Sequence, residues 1–296
     1  MAATAACLGT LCCWSVGPIL IAQLTDYVDS WTQNALRYTV ACLFWLPVLL
    51  YFMHKGKFDK RTWRCAVVPS LANVTMQSLW AATFYYIGPA FIVLLSKTSV
   101  LWVAAFSLIF FIDERALARS WRFWAGLALS VTGVFGVLYF KEDFAASRMV
   151  TGIVLSLVCA FMWASYAISV KISLKNIDSR IGFAVISIYT VIGLWIGAVL
   201  RGRPAECLAM GIGPWMAVVV SAITAIALGH VFFYTAIKRI GATIPTLVIL
   251  AQPLVVFSIS SIVLHERLNS LQLLFGLVLL GGAALSVWAQ GHLKVR

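Results

Sequence analysis

Apolar runs of about 20 residues follow one another along nearly the whole chain, each about as long as a helix that crosses a bilayer. Only 11% of the 296 residues are charged, whereas soluble domains carry roughly 25%. Because 62% of the residues are hydrophobic, too little polar surface remains to cover a water-soluble globule. The sequence therefore predicts an all-α, multi-pass membrane protein.

Ten of these runs qualify as transmembrane helices. The predicted spans are 3–24, 31–52, 65–86, 90–112, 121–140, 150–170, 181–200, 214–237, 243–264 and 270–289. Their short connections leave no room for an extramembrane catalytic domain. The spans also contain no nucleophile paired with a base, no acidic metal-binding pair and no histidine-rich cluster. We therefore expect no enzymatic activity, no cofactor and no metal.

Lys and Arg are distributed unequally over the alternate connections, with roughly three times as many on one side. The positive-inside rule places that side, which includes Lys57, in the cytoplasm. With ten spans both termini are then cytoplasmic, and we expect a protein of the plasma (inner) membrane that has lipid as a partner. The net charge of +12 does not indicate nucleic-acid binding, because the basic residues stand singly between apolar runs.

The two halves of the chain are similar to each other. Residues 87–115 and 240–267 each begin with Ile-Gly and end with Glu-Arg, and Trp14 and Trp163 stand near the head of each half. We predict two homologous repeats of five spans each, over residues 1–146 and 147–296. Because five is odd, the second repeat enters the membrane from the opposite face. Inverted repeats of this kind form carriers whose site lies between the halves.

These features resemble the drug/metabolite transporter superfamily, and specifically two tandem EamA repeats that cover nearly the whole chain. The resemblance is carried by Trp14, Trp163, Gly241, Pro253 and the Glu266-Arg267-Leu268 motif. It implies a ten-helix, inverted-repeat secondary transporter, in most members an exporter of amino acids, other small metabolites or amphipathic drugs. In the first half Leu101 occupies the place of Pro253, so no proline specifies a break in the fourth span.

Lys97 is the most informative polar residue of the spans. It lies roughly 10 Å into the fourth span at about 1.5 Å per residue, and no span contains an acidic residue that could neutralise it. One interpretation is a countercharge for a carboxylate or phosphate of the substrate. A similar lysine binds phosphate in the plastid sugar-phosphate antiporters, a related family. The alternative is a lysine that reaches outward to the interface or bonds to free carbonyls.

Arg37 lies about two turns into the second span, close to Gln33 and Asn34. Its guanidinium could hold a substrate carboxylate in bidentate fashion. A salt bridge to Asp26 or Asp29 would also explain an arginine at this place, and the sequence favours that second interpretation.

Further substrate-binding candidates occupy equivalent places in the two halves. Gln77 and His230 each precede the Ile-Gly glycine by 11 residues, so pseudo-symmetry predicts that they line one cavity. Asn73 and Tyr234 lie one turn away from them on the same helical faces. The remaining candidates are Trp80, Gln252, Trp14 and Trp163. Hydrogen bonds that only hold helices together would use the same residue types.

Prolines mark candidate hinges, because a proline within a span frees a carbonyl and permits bending. The hinge candidates are Pro18, Pro245 and Pro253. Glycines of the fifth and tenth spans predict close helix packing, within the chain or between protomers, so a homodimer is a further expectation.

Together these features predict a secondary transporter that moves a small amphipathic or anionic, amino-acid-like metabolite by alternating access, as an exporter. The alternative is a flippase of the same superfamily for a lipid or lipid-linked substrate. A third, less favoured hypothesis is an integral membrane enzyme. A flippase would need a lateral opening with apolar walls between the spans. A metabolite carrier needs a closed central site instead.

Overall fold

The computed structural model describes residues 2–110, 119–140, 147–174, 177–240 and 248–293. In these residues the chain forms twelve α-helices and no strand. The helices are α1 (Ala2–Leu24), α2 (Ser30–His54), α3 (Arg61–Thr83), α4 (Pro89–Ser96), α5 (Ser99–Phe110), α6 (Trp121–Tyr139), α7 (Ser147–Ser173), α8 (Ser179–Arg201), α9 (Ile212–Ser221), α10 (Gly229–Ile240), α11 (Gln252–Val263) and α12 (Ser270–Leu293). A 3-10 helix at Pro204–Ala209 precedes α9, and a π-helix at Ala222–Leu228 joins α9 to α10.

Eight helical segments in the described part of the chain are long and apolar enough to cross a membrane. One of them combines α4 with α5, and another combines α9, the π-helix and most of α10. A shorter apolar helix, α11, belongs to the ninth span. Helix α3 completes the ten spans and is the third in chain order. Its 23 residues suffice for a span, but they include polar side chains such as Asn73 and Gln77. The ten-span, all-α prediction is confirmed.

The helix pairing follows the two-repeat pattern. Helix α3 packs on α7 as α10 packs on α1, and α4 packs on α7 as α11 packs on α1. The pairs α2–α8, α4–α11 and α6–α12 join equivalent helices of the two halves. A two-fold relation between halves of five spans produces this pattern, and it places α1, α4, α7 and α11 around the centre of the bundle.

Glycines bring α6 and α12 into close contact. A Cβ atom at Gly133 of α6 would meet the backbone of Leu279, and one at Gly282 of α12 would meet the backbone of Ser130. The predicted close packing is thus present within the chain. Gly281 has no atom near its Cβ position, so it faces away from this contact. The homodimer stays a prediction.

The loops at one end of the bundle are hydrogen-bonded to one another across the two halves. Asp29 accepts from the backbone N–H of Thr32 at 3.1 Å, which caps α2, and from the backbone N–H of Arg203 at 2.8 Å. Asn269 Nδ2 donates to the carbonyl of Phe140 at 2.7 Å. We call this the Asp29 end of the bundle, and the opposite end, where α2 meets α3, the Lys57 end.

Candidate functional site

The fourth and ninth spans are both interrupted within the bundle. Helix α4 ends at Ser96 and α5 begins at Ser99, and the Lys97 N–H donates to the carbonyl of Leu94, three residues earlier, at 3.1 Å. This break forms without a proline, so the sequence did not specify it. In the ninth span the Ala251 N–H donates to the carbonyl of Val248 at 3.1 Å, and α11 begins at the next residue.

The proline of the ninth span begins a helix instead of bending one. Pro253 occupies the first turn of α11, where a missing N–H requires no partner. A turn just before Pro253 interrupts the span, and the role of Pro253 as a hinge stays a prediction. The other predicted hinge of the span, Pro245, lies outside the described residues.

Lys97 and Gln252 meet at these two breaks. The Lys97 ammonium donates to Gln252 Oε1 at 2.7 Å, and the Lys97 residue is only 8% exposed. Gln252 Nε2 donates in turn to the backbone carbonyl of Trp14 at 2.7 Å. One neutral carboxamide therefore joins the buried cation of the fourth span to the ninth span and to α1.

Pro18 explains why the Trp14 carbonyl can accept this bond. A proline has no N–H to donate to the carbonyl four residues earlier in a helix, and four residues before Pro18 is Trp14. The Gln252 side chain supplies the donor that the helix lacks. Pro18 thus creates the acceptor that orients Gln252 towards Lys97.

The π-helix presents three successive carbonyls to ring N–H groups. Trp14 Nε1 donates to the carbonyl of Ala225 at 3.0 Å, and Trp45 Nε1 donates to that of Ala227 at 3.0 Å. His230 Nδ1 lies 2.9 Å from the carbonyl of Ile226. Wider helical turns of this kind occur frequently at functional sites. Here the π-helix fixes side chains from α1, α2 and α10 relative to one another.

Aromatic rings surround His230, and we call these rings with His230 the His230 group. The His230 ring lies 5.4 Å from Trp14, 6.2 Å from Trp163 and 6.4 Å from Tyr234 between ring centroids. Phe183 stacks on His230 with centroids 5.2 Å apart. Four predicted site residues, Trp14, Trp163, His230 and Tyr234, are therefore brought together, and Trp14 connects them to Lys97 and Gln252.

His230 has one nitrogen without a partner. Because a carbonyl only accepts, Nδ1 donates to Ile226, and Nε2 of the neutral ring is then an acceptor. Nε2 is buried and has no hydrogen-bond partner among the described residues, and His230 is only 5% exposed. A buried acceptor of this kind suits a solute that carries a hydrogen-bond donor.

Three other predicted residues do not join the His230 group. Asn73 Nδ2 donates to Thr190 Oγ1 at 2.9 Å and to the Tyr38 hydroxyl at 3.3 Å, so its amide connects α3 to α8 and α2. Gln77 is buried on the same helix, and its sharing of one cavity with His230 stays a prediction. Trp80 packs against three apolar clusters of the core, where the halves meet.

Arg37 forms neither of the salt bridges that the sequence favoured. Asp29 instead caps α2, and Asp26 is exposed. The Arg37 Nε–H donates to Ser221 Oγ at 2.9 Å, at the junction of α9 and the π-helix. That interpretation is wrong because Asp29 satisfies nearby backbone donors, and the arginine side chain extends to another helix.

The sequence profile of the EamA-like transporter family matches the chain twice, over residues 1–139 and 150–288. The chain belongs to the EamA-like transporter family. A solved structure described as "Crystal structure of protein" has the same fold, with a TM-score of 0.68, 17% sequence identity and coverage of 97% of both chains. None of the curated proteins matches the chain in sequence. The protein is therefore a multi-pass membrane transporter of two EamA repeats.

In this EamA-like transporter the second Glu-Arg motif contacts the opposite repeat. Glu266 Oε2 accepts from the Ala90 N–H at 2.9 Å, and Oε1 accepts from the Phe91 N–H at 3.2 Å. Its carboxylate thus caps α4, the helix that leads to Lys97. The sequence motif does not indicate which helix this glutamate caps, because Ala90 lies 176 residues away. Glu114, the equivalent residue, lies outside the described residues.

Proposed function

We propose that the protein moves a small amphipathic or anionic, amino-acid-like metabolite across the inner membrane by alternating access, as an exporter. The observation that carries this proposal is the buried Lys97 ammonium at the break of the fourth span, whose described partner is a neutral amide. The proposal agrees with the membership of this chain in the EamA-like transporter family.

The charge of Lys97 argues for an anionic group on the solute. A cation at membrane depth is costly unless it has a partner or faces a pathway, and the spans contain no acidic residue. An ammonium has three donors, and Gln252 accepts from one of them. A carboxylate or phosphate of the solute would accept from the remaining donors and neutralise the charge.

The His230 group suits the amphipathic part of the same solute. Trp14 and Trp163 offer ring faces, and His230 Nε2 offers an unpartnered acceptor for an ammonium or hydroxyl. The Trp14 ring contacts His230, and the Trp14 carbonyl accepts a hydrogen bond from Gln252. The His230 group and the Lys97–Gln252 pair are therefore contiguous. Gln77, Asn73, Tyr234 and Trp80 are further candidate contacts as access alternates.

Alternating access would move the repeats, proposed here as residues 1–146 and 147–296, relative to each other around this site. We propose Pro18 and the turns before α5 and α11 as points at which the described helices bend. The Lys57 end, with most of the basic residues and both termini, would face the cytoplasm.

A thermal-shift screen of the purified protein tests this proposal. The panel contains amino acids, organic acids, sugar phosphates and cationic drugs, and each is compared on the wild type, Lys97→Met and the exposed control Lys57→Met. A solute that binds the native state raises the unfolding midpoint. We expect anionic or zwitterionic solutes to stabilise the wild type and Lys57→Met but not Lys97→Met. Stabilisation by cationic drugs alone would contradict the proposal.

A further inference from the structure

A second buried cation lies on α2, separate from Lys97. Arg37 is 2% exposed, and its Nη1 has no hydrogen-bond partner in the described residues. One helical turn away, both amide atoms of the fully buried Asn34 are also without a partner, as is Gln33 Oε1. Four unpaired polar atoms therefore lie on one helical segment, beside a guanidinium that forms no ion pair within the described ranges.

These unpaired atoms destabilise the folded protein if no ligand or water bonds to them. An unpaired buried polar group costs about 1–3 kcal/mol and an unpaired charge costs more, so native proteins rarely leave several of them together without a ligand or water. The carboxylate nearest in sequence, that of the N-cap residue Asp29, already accepts the N-cap bonds of α2 and a bond from the Arg203 N–H. Ser221, the described partner of Arg37, is neutral and cannot balance its charge.

The surroundings of the cluster limit the size of a ligand. Gln33 Nε2 donates to the Tyr85 hydroxyl at 2.7 Å, and that hydroxyl donates to the carbonyl of Val28. These bonds join α2 to the loop before α4. Because all four unpaired atoms are buried, a ligand enclosed with them has to be small.

We propose that Arg37 and Asn34 form a binding site for a small monovalent anion, such as chloride, nitrate or formate. Arg37 Nη1 and Asn34 Nδ2 are its two donors, and the guanidinium balances its charge. Water bound with the ion donates to Gln33 Oε1 and Asn34 Oδ1. The ion holds α2 against α9 and the π-helix, because Ser221 lies at their junction and is bonded to Arg37.

The test is the thermal unfolding of the full-length protein in detergent, at constant ionic strength maintained with sodium gluconate. Chloride, nitrate and formate are titrated in separate series against the wild type, Arg37→Gln, Arg37→Lys, Asn34→Ala and Lys97→Met. Arg201→Gln, an exposed arginine at the same end of the bundle, is the matched control.

We expect a saturable rise of the wild-type midpoint by about 3 °C at tenfold excess over the apparent Kd. Arg37→Gln abolishes the rise, Asn34→Ala raises the apparent Kd roughly tenfold, and Arg37→Lys keeps a weaker response. Arg201→Gln responds like the wild type, and a saturable rise that persists in Lys97→Met separates this site from the transport site. If Arg37→Gln does not fold, Asn34→Ala decides the question, because it keeps the charge and removes only one donor.

Three results would overturn the anion site. The first is a midpoint that none of the three anions raises in a saturable way. The second is an equal rise in the wild type and in Arg37→Gln, or in Asn34→Ala where Arg37→Gln does not fold. A rise that disappears only in Lys97→Met would assign the anion to the transport site and would also overturn this one. None of these outcomes contradicts the proposed role of Lys97 in solute binding.

Discussion

Gln252 donates from Nε2 to the backbone carbonyl of Trp14 at 2.7 Å. This carbonyl has no helical donor because the residue four positions later is Pro18. The bond fixes the Gln252 carboxamide with its oxygen towards Lys97, 2.7 Å away. A proline in the first span therefore determines the position of a polar side chain in the ninth and, through it, of the cation in the fourth.

The first prediction is that Pro18 and Gln252 are energetically coupled. Gln252→Leu should destabilise the protein by about 1–3 kcal/mol, because it leaves Lys97 and the Trp14 carbonyl without their partner. In a Pro18→Ala background the new N–H already donates to Trp14, so the same substitution should cost less. The coupling should be about 0.5–3 kcal/mol in thermal unfolding. Pro47→Ala in α2 is the control, and its effect should add to that of Gln252→Leu. Equal costs of Gln252→Leu in the wild type and in the Pro18→Ala background would contradict the coupling.

The second prediction concerns the cap of α4. Gly88→Ala would place a Cβ atom against the Glu266 carboxylate and displace it from the N–H groups of α4, so it should destabilise the protein by about 1 kcal/mol. Glu266→Ala should cost about 1 kcal/mol, because the Ala90 and Phe91 N–H groups lose their acceptor. In the Glu266→Ala background Gly88→Ala should cost much less. Gly211→Ala, which meets no atom, should change stability by no more than about 0.5 kcal/mol. If Gly88→Ala destabilises the protein equally with and without the Glu266 side chain, the loss of stability does not come from displacing this carboxylate.

The third prediction tests the contact between α6 and α12. Gly133→Val should lower the unfolding midpoint and the monodispersity in size-exclusion chromatography, because a backbone in direct contact cannot move aside. The expected cost is about 3 kcal/mol. Gly281→Val should be tolerated within the monomer, because no atom lies near its Cβ position. Similar behaviour of both variants would place the close contact elsewhere.

The fourth prediction is the orientation in the membrane. Cys207 lies in the 3-10 helix at the Asp29 end, and Lys57 is exposed at the opposite end. A membrane-impermeant maleimide should label Cys207 in intact cells. In a Cys207→Ser background, Lys57→Cys should be labelled only after permeabilisation. Labelling of Lys57→Cys from outside would reverse the topology.

The sequence was sufficient for the features that depend on composition and repetition. The ten spans follow from the length of apolar runs, and the pairing of the halves follows from the shared Ile-Gly and Glu-Arg motifs. The burial of Lys97 also follows from its distance to the end of its span. The grouping of Trp14 with Trp163 follows from their equivalent places in the two repeats.

The remaining features depend on contacts between distant residues. The break at Lys97 has no local proline or glycine, and the bond to Gln252, 155 residues away, accompanies it. The π-helix has no sequence signature, but side chains of three helices bond to its carbonyls. For Arg37 the sequence favours a nearby carboxylate, because only neighbours along the chain are visible in it. Its partner, Ser221, is 184 residues away.

The most direct test of the transport site is solute uptake by Lys97 variants in proteoliposomes, with the anionic or zwitterionic solute that gives the largest thermal shift. Lys97→Met should reduce uptake at subsaturating solute by roughly 10–100-fold, the loss expected for a hydrogen bond to a charged group. Lys97→Arg should retain part of the activity, and Lys57→Met should transport like the wild type. A folded, monodisperse Lys97→Met protein that takes up this solute at the wild-type rate would contradict the proposed role of Lys97 in solute binding.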